Sequence, residues 1–150
     1  QKDLPEFIKQ VKELGFAVKL DTNGSFPEML EKVLPDLDYV AMDIKAPLEK
    51  YSQIVNVDVD TSKILKSIEV LKNGGVDYEF RTTVVKSQLS FEDFEKIGQL
   101  IQGAPRYYLQ RFEASKILDK SLENEKTYST EEFERIIDIL KPYVKAEVRY

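Results

Sequence analysis

Four short clusters of polar residues carry whatever chemistry this sequence has. They are Asp21-Thr22-Asn23-Gly24, Asp43 with Lys45, Glu79 with Arg81 and Thr83, and Tyr108 with Gln110 and Phe112. The carboxylates can take up an ammonium or another cation. Lys and Arg can take up a carboxylate, Arg through a planar two-point fork. The chain contains no Cys and no His. It cannot by itself build a disulfide, a zinc site, a thiolate-held iron–sulfur cluster or a histidine acid–base pair. No metal ligand set is expected among these residues, and only Asp, Glu, Lys, Arg, Tyr and hydroxyl groups remain for chemistry.

The elements that must hold these clusters alternate strand with helix. Strands are predicted over 16–21, 39–44, 77–85 and 107–112, with a trailing one over 144–149. Successive residues of a strand point to opposite faces. One face then carries Lys19 and Asp21, Asp43 and Lys45, Glu79, Arg81 and Thr83, and Tyr108 and Gln110. The other carries Val18 and Leu20, Val40, Met42 and Ile44, Tyr78 and Phe80, and Tyr107 and Leu109. Parallel strands covered on both sides read as near-continuous apolar runs. A polar face on four successive strands therefore looks onto a solvated or ligand-filled space.

Between the strands, apolar residues recur at helical spacing. Leu4, Phe7, Ile8, Val11 and Leu14 form one stripe, opened by Asp3 and stopped at Gly15. Ser25 and Glu28 have capping-box spacing around Pro27, ahead of Met29, Leu30, Val33 and Leu34. Asp60 caps a helix with Ile64, Leu65, Ile68 and Leu71 on its buried side. Ser90 opens the next, and Ser129 with Glu132 opens the last. Residues 113–128 are a polar excursion with little periodicity. Alternating βα units give a parallel sheet, and the polar strand face favours a segment of a barrel over a doubly wound sheet. Ligands in such folds bind beyond the carboxyl ends of the strands, where the polar clusters lie.

Each cluster also has a purely structural reading. Asn23-Gly24 suits a turn. Asp43 and Lys45 can form an ion pair on one face, and Glu79 can orient Arg81. Tyr107 and Tyr108 suit packing, and Asp36, Asp38, Asp58 and Asp60 suit loops and caps. It is their joint placement at four successive strand ends that points to one site.

The chain of 150 residues with a net charge of −5 fits a single domain over 1–150. Mixed charges argue against a general nucleic-acid partner, which would need a basic stripe. No apolar run nears the roughly 20 residues that span a bilayer, so no membrane association and a cytoplasmic location are expected. The sequence begins at Gln1, and a piece of a longer protein is expected.

The motifs Leu-Asp-Thr-Asn-Gly (20–24), Ala-Met-Asp-Ile-Lys-Ala-Pro (41–47), Tyr-Glu-Phe-Arg-Thr-Thr-Val-Val (78–85) and Tyr-Tyr-Leu-Gln-Arg-Phe (107–112) together resemble the radical S-adenosylmethionine activases of glycyl radical enzymes. The likeness is to activating proteins of anaerobic ribonucleoside-triphosphate reductase and of pyruvate formate-lyase, and it covers essentially the whole chain. It implies an α/β fold, a partial (βα)6 TIM-like barrel of about four parallel strands with helices and a trailing strand. In that family a Cys-x-x-x-Cys-x-x-Cys loop holds a 4Fe-4S cluster and a Gly-Gly-Glu-Pro segment contacts the methionine amino group. Neither is present here, and Leu4-Pro5-Glu6 resembles the helix that comes just after Gly-Gly-Glu-Pro in the family.

Carried over, the resemblance places Asp21 and Asn23 near the methionine moiety of S-adenosylmethionine, with Thr22 and Gly24 shaping the turn. Asp43 and Lys45 approach the cofactor or the partner's glycyl loop. Arg81 meets the methionine carboxylate or ribose, and Gln110 and Phe112 the adenine. Glu113 stands where some activases carry a His. The implied reaction is oxidoreductase chemistry in which the cluster reduces the sulfonium and a 5′-deoxyadenosyl radical takes hydrogen from a partner glycine. The implied partners are a glycyl radical enzyme and an electron donor such as flavodoxin or ferredoxin. Without cluster ligands this chain is expected to be inactive alone. Two other readings stand beside this one: a Schiff-base lyase or aldolase-like barrel using Lys45, and a noncatalytic α/β binding module. Homo-oligomers through an exposed strand edge at 16–21 are also expected.

Overall fold

The computed structural model describes residues 1–114 and 120–149. The elements run α1 (Leu4–Glu13), β1 (Lys19–Thr22), α2 (Pro27–Val33), β2 (Tyr39–Asp43), α3 (Tyr51–Val55), α4 (Thr61–Asn73), β3 (Asp77–Val84), α5 (Phe91–Leu100), β4 (Tyr107–Arg111), α6 (Thr130–Leu140) and β5 (Ala146–Arg149). The five strands form a sheet in the order β1-β2-β3-β4-β5. The β1–β2, β3–β4 and β4–β5 ladders are parallel. Strand and helix alternate as the sequence predicts; β2, β3 and β4 start where expected and end one residue early, β5 starts two residues late, and β1 starts three residues late and runs one residue further. Residues 115–119 of the 113–128 excursion lie outside the described residues.

Packing divides the chain into two compact units, Gln1–Asp43 with Val59–Glu79 and Ile44–Asp58 with Phe80–Tyr150. In the first, Val40 and Met42 of β2 are sealed from solvent together with Ile64, Ile68 and Leu71 of α4 and Leu30 and Val33 of α2. Asp60 caps α4 by accepting from the Ser62 N–H at 3.1 Å. Helix α1 touches α2 and the 3-10 turn Leu34–Asp36, and of its apolar stripe only Ile8 is buried. Phe7 and Leu14, expected inside, are 62% and 74% exposed. The neighbours that α1 has in this unit cover one narrow line along it and leave its flanks in water. Leu65 is exposed for a related reason: it sits one residue, about 100°, past the buried row of Ile64, Ile68 and Leu71.

In the second unit, Phe80, Val84, Tyr107 and Leu109 of the sheet are buried, as are Phe94 and Ile97 of α5 and Phe133 and Ile136 of α6. Ser90 with Asp93, and Ser129 with Glu132, close full capping boxes. Gly98 lets α5 approach Tyr143 and Leu140 closely, since a Cβ there would lie 2.8 Å from the Tyr143 ring. Two predicted caps fail. Asp3 stands at the start of α1 but its side chain makes no cap bond. Phe26, not Ser25, precedes α2, because the Ser25 N–H is drawn into a turn with the Asn23 side chain at 3.0 Å.

Candidate functional site

In the first unit the β1 terminus and the turn after it place Asp21, Thr22, Asn23 and Gly24 together. Thr22 Oγ1 accepts from the Gly24 N–H at 3.1 Å, and Asn23 Oδ1 accepts from the Ser25 N–H. Gly24 adopts φ +76°, and a Cβ there would run into Met42 Cε. The Gly24 carbonyl accepts from the buried Ser67 hydroxyl of α4 at 2.8 Å. Thr22 and Gly24 are therefore used by the fold, holding the turn down on β2 and α4. That leaves the Asp21 carboxylate exposed at the strand end, 3.5 Å from Lys19 Nζ. Beside it lies a cavity of about 250 Å³, apolar along Leu4, Leu20, Phe26 and Met29 and polar at Asp21 and Thr22. Asp43 ends β2 and is half-buried. Below it on the same face, the buried Glu79 accepts from Tyr39 Oη at 2.8 Å. Glu79 thus has a phenol partner that sequence alone does not reveal.

In the second unit Lys45 follows the end of β2 and is half-buried. Arg81 lies on β3 opposite Tyr108 of β4, and Thr83 opposite Gln110, which in turn faces Arg149 of β5. Partners in a parallel ladder share a face, so Arg81, Thr83, Tyr108, Gln110 and Arg149 form one polar wall. The Arg149 guanidinium stacks on the Tyr108 ring at 3.3 Å, a contact that holds both side chains against the sheet. Phe112, immediately after β4, is half-buried. On the opposite, helix-covered face, every strand residue that the alternation assigns there from Val40 to Leu109 is buried.

The loop after β2 is tied down by residues that the sequence patterns do not single out. Its 3-10 turn Leu48–Lys50 presents Lys50 Nζ to the Asp93 carboxylate at 2.7 Å, and Glu49 pairs with Lys96 at 2.7 Å. Burial pushes the Asp93 carboxyl up, but hydrogen bonds from Lys50 and Ser90 outweigh that and hold it below its ordinary range. In the first unit Asp38 does comparable work. Its carboxylate accepts from Lys12 Nζ at 2.8 Å and from the Val18 N–H at 2.6 Å, and these two bonds lower its pKa. Capping-box spacing at Ser90 and Asp93 was the available signal for the first anchor. Nothing local in the sequence marks the second.

No family model matches the chain. It is 34% identical over 151 positions to a protein of Methanocaldococcus jannaschii provisionally named a glycyl-radical enzyme activating enzyme, covering 96% of this chain and 63% of that protein. It is 30% identical over 113 residues to the 7-carboxy-7-deazaguanine synthase of Thermococcus kodakarensis, covering 73% of this chain and 42% of the synthase. The chain thus spans less than two thirds of these curated relatives. Its fold matches a crystallised domain of a pyruvate-formate lyase-activating enzyme from Bacteroides vulgatus with a TM-score of 0.79 and 18% identity, over 99% of this chain and 91% of that domain. The sequence likeness to a glycyl-radical enzyme activating enzyme thus runs over nearly the whole chain, and the α/β fold of a solved activating-enzyme domain agrees with it.

Proposed function

We propose that this chain is the S-adenosylmethionine-binding and partner-facing portion of an enzyme that installs a glycyl radical on a reductase- or formate-lyase-type partner. The observation that supports this most is the position of the polar residues. Asp21 and Asp43 lie at the carboxyl ends of β1 and β2, Lys45 just beyond β2 and Arg81 in the second half of β3, toward the side where α/β folds bind their ligands. In this reading Asp21 and Asn23 lie near the methionine moiety, and Asp43 and Lys45 approach the cofactor or the partner's glycyl loop. Arg81 meets the methionine carboxylate or ribose, and Gln110 and Phe112 lie near the adenine. Thr22 and Gly24 contribute by shaping the turn that presents Asp21.

A 4Fe-4S cluster does not fit this chain's own residues. It has no thiolate and no imidazole, and among the described residues no acidic group of three or more could hold a metal ion. Cluster ligands are therefore supplied from outside this sequence. This chain's part is to bind, orient and shield the cofactor, and alone it is inactive in radical formation. The reading carries with it a glycyl radical enzyme as macromolecular partner, an electron donor such as flavodoxin or ferredoxin, and a cytoplasmic setting. Among the described residues no helix is long and apolar enough to cross a membrane.

Calorimetric titration of the chain with S-adenosylmethionine tests the proposal. Saturable binding is expected, weakened about tenfold or more by Arg81→Met, since a charge-assisted hydrogen bond contributes about 1.5–3 kcal/mol. No binding at millimolar ligand, or equal affinity in wild type and Arg81→Met, would remove the proposal's basis.

A further inference from the structure

We infer that Thr82 and Tyr107 are positioning residues: their hydroxyls, with that of Tyr51, clamp the single peptide plane that sets the direction of Lys45. The Tyr107 phenol donates to Thr82 Oγ1 at 2.7 Å. Thr82 has one hydroxyl proton and gives it to the Ile44 carbonyl at 2.6 Å. The other end of that same peptide, the Lys45 N–H, donates to Tyr51 Oη at 3.2 Å. The preceding N–H, of Ile44, donates to the Arg81 carbonyl at 2.7 Å. Both polar ends of the Ile44–Lys45 peptide are thus held by side chains, just beyond the last residue of β2.

Three features argue that this arrangement is built for placement. Tyr107, Thr82 and Ile44 are 0%, 1% and 0% exposed and Tyr51 is 2% exposed, so water cannot substitute for a lost bond. The face they share is otherwise apolar, and a valine and a phenylalanine would fill the same space without polar atoms. Finally, the clamp uses the backbone of Arg81 and the side chain of its neighbour Thr82. It therefore places Lys45 relative to Arg81, the two cations of the proposed site. Burial pushes the Tyr107 pKa far up, which keeps the phenol a donor at every working pH.

This inference rests on the S-adenosylmethionine reading, and its test separates the two. The whole chain is compared with Thr82→Val, Thr82→Ser and Tyr107→Phe by amide hydrogen exchange at Lys45 without ligand, and by calorimetric affinity for S-adenosylmethionine. Thr82→Val should speed Lys45 exchange at least tenfold and weaken binding at least fivefold, while Val40 and Leu109 keep their protection. Thr82→Ser, which restores the hydroxyl, should return both within twofold of wild type. Tyr107→Phe should fall between. Failure of Thr82→Ser to restore, or Lys45 exchange unchanged in both Thr82→Val and Tyr107→Phe, overturns the inference. If wild type binds no S-adenosylmethionine, the reading of the site fails, and the clamp is then decided by the exchange rates alone. Should Thr82→Val not fold, the serine and phenylalanine variants still decide it.

Discussion

Replacing Lys50 with Met removes the ammonium that anchors the loop carrying Lys45 while keeping most of the side chain's apolar stem. The Asp93 side chain is 2% exposed and that of Lys50 is 38% exposed, 2.7 Å apart. Exposed pairs contribute about 0–1 kcal/mol, whereas removing one partner of a buried pair costs about 3–5 kcal/mol. Lys50→Met leaves the carboxylate two compensating donors, the Ser90 N–H at 2.8 Å and the Ser90 hydroxyl at 2.9 Å. A loss of about 2 kcal/mol is expected, lowering Tm by about 4–8 °C for a chain of this size. Urea unfolding followed by far-ultraviolet circular dichroism measures it, and a cycle with Asp93→Asn should show coupling of about 1 kcal/mol.

The same pair fixes a pH dependence. Because the folded Asp93 pKa lies below its ordinary value, its contribution is fully present above the unfolded carboxylate pKa. It is lost as pH falls through the folded one. In Lys50→Met a lowering influence is gone, so the folded value moves toward the unfolded one and less stability should be lost to Asp93 on acidification than in wild type. A loss under about 0.5 kcal/mol, the ordinary range for an unimportant surface change, would refute this account of the loop anchor. So would strict additivity with Asp93→Asn.

Gly24→Ala should cost about 1–3 kcal/mol, because it puts a Cβ at positive φ and into Met42. Thermal melts would measure it, and a neutral outcome would contradict the close approach. Borohydride reduction in the presence of pyruvate should leave Lys45 unmodified by mass spectrometry, and a trapped adduct would favour the Schiff-base reading instead. Light scattering at rising concentration should detect self-association. β1 stands at one end of the strand order, and Phe7, Phe16 and Phe26 are 62%, 63% and 73% exposed. A monomer at all concentrations would sink that expectation.

Alternation along the strands made the sheet legible, because, Ala41 and Thr82 apart, polar and apolar residues separate by face from Val40 to Gln110. Caps at Asp60, Ser90 and Ser129 were equally readable, since each precedes a strong helical stripe. Helix α3 escaped notice because five residues are too few to establish a period. Ser25 misled because one short polar residue can serve a turn or a cap, and the Asn23 turn took it. Phe7 and Leu14 misled because periodicity reports an apolar stripe without reporting how wide a surface covers it. The strand-end clusters could be listed from sequence, but not their support. The Tyr107–Thr82–Ile44 chain joins residues 25 and 38 positions apart, and on a covered face a tyrosine reads as packing alone.

The central claim is that the polar strand ends bind S-adenosylmethionine, and amide chemical-shift mapping of the isotope-labelled 17.4 kDa chain tests it most directly. On titration with S-adenosylmethionine, the shifts should concentrate at residues 21–24, at Asp43 and Lys45, at Arg81 in β3, and at Gln110 and Phe112 at the end of β4. Shifts at the amino ends of the strands or on the outer helices, or none at millimolar ligand, would contradict it.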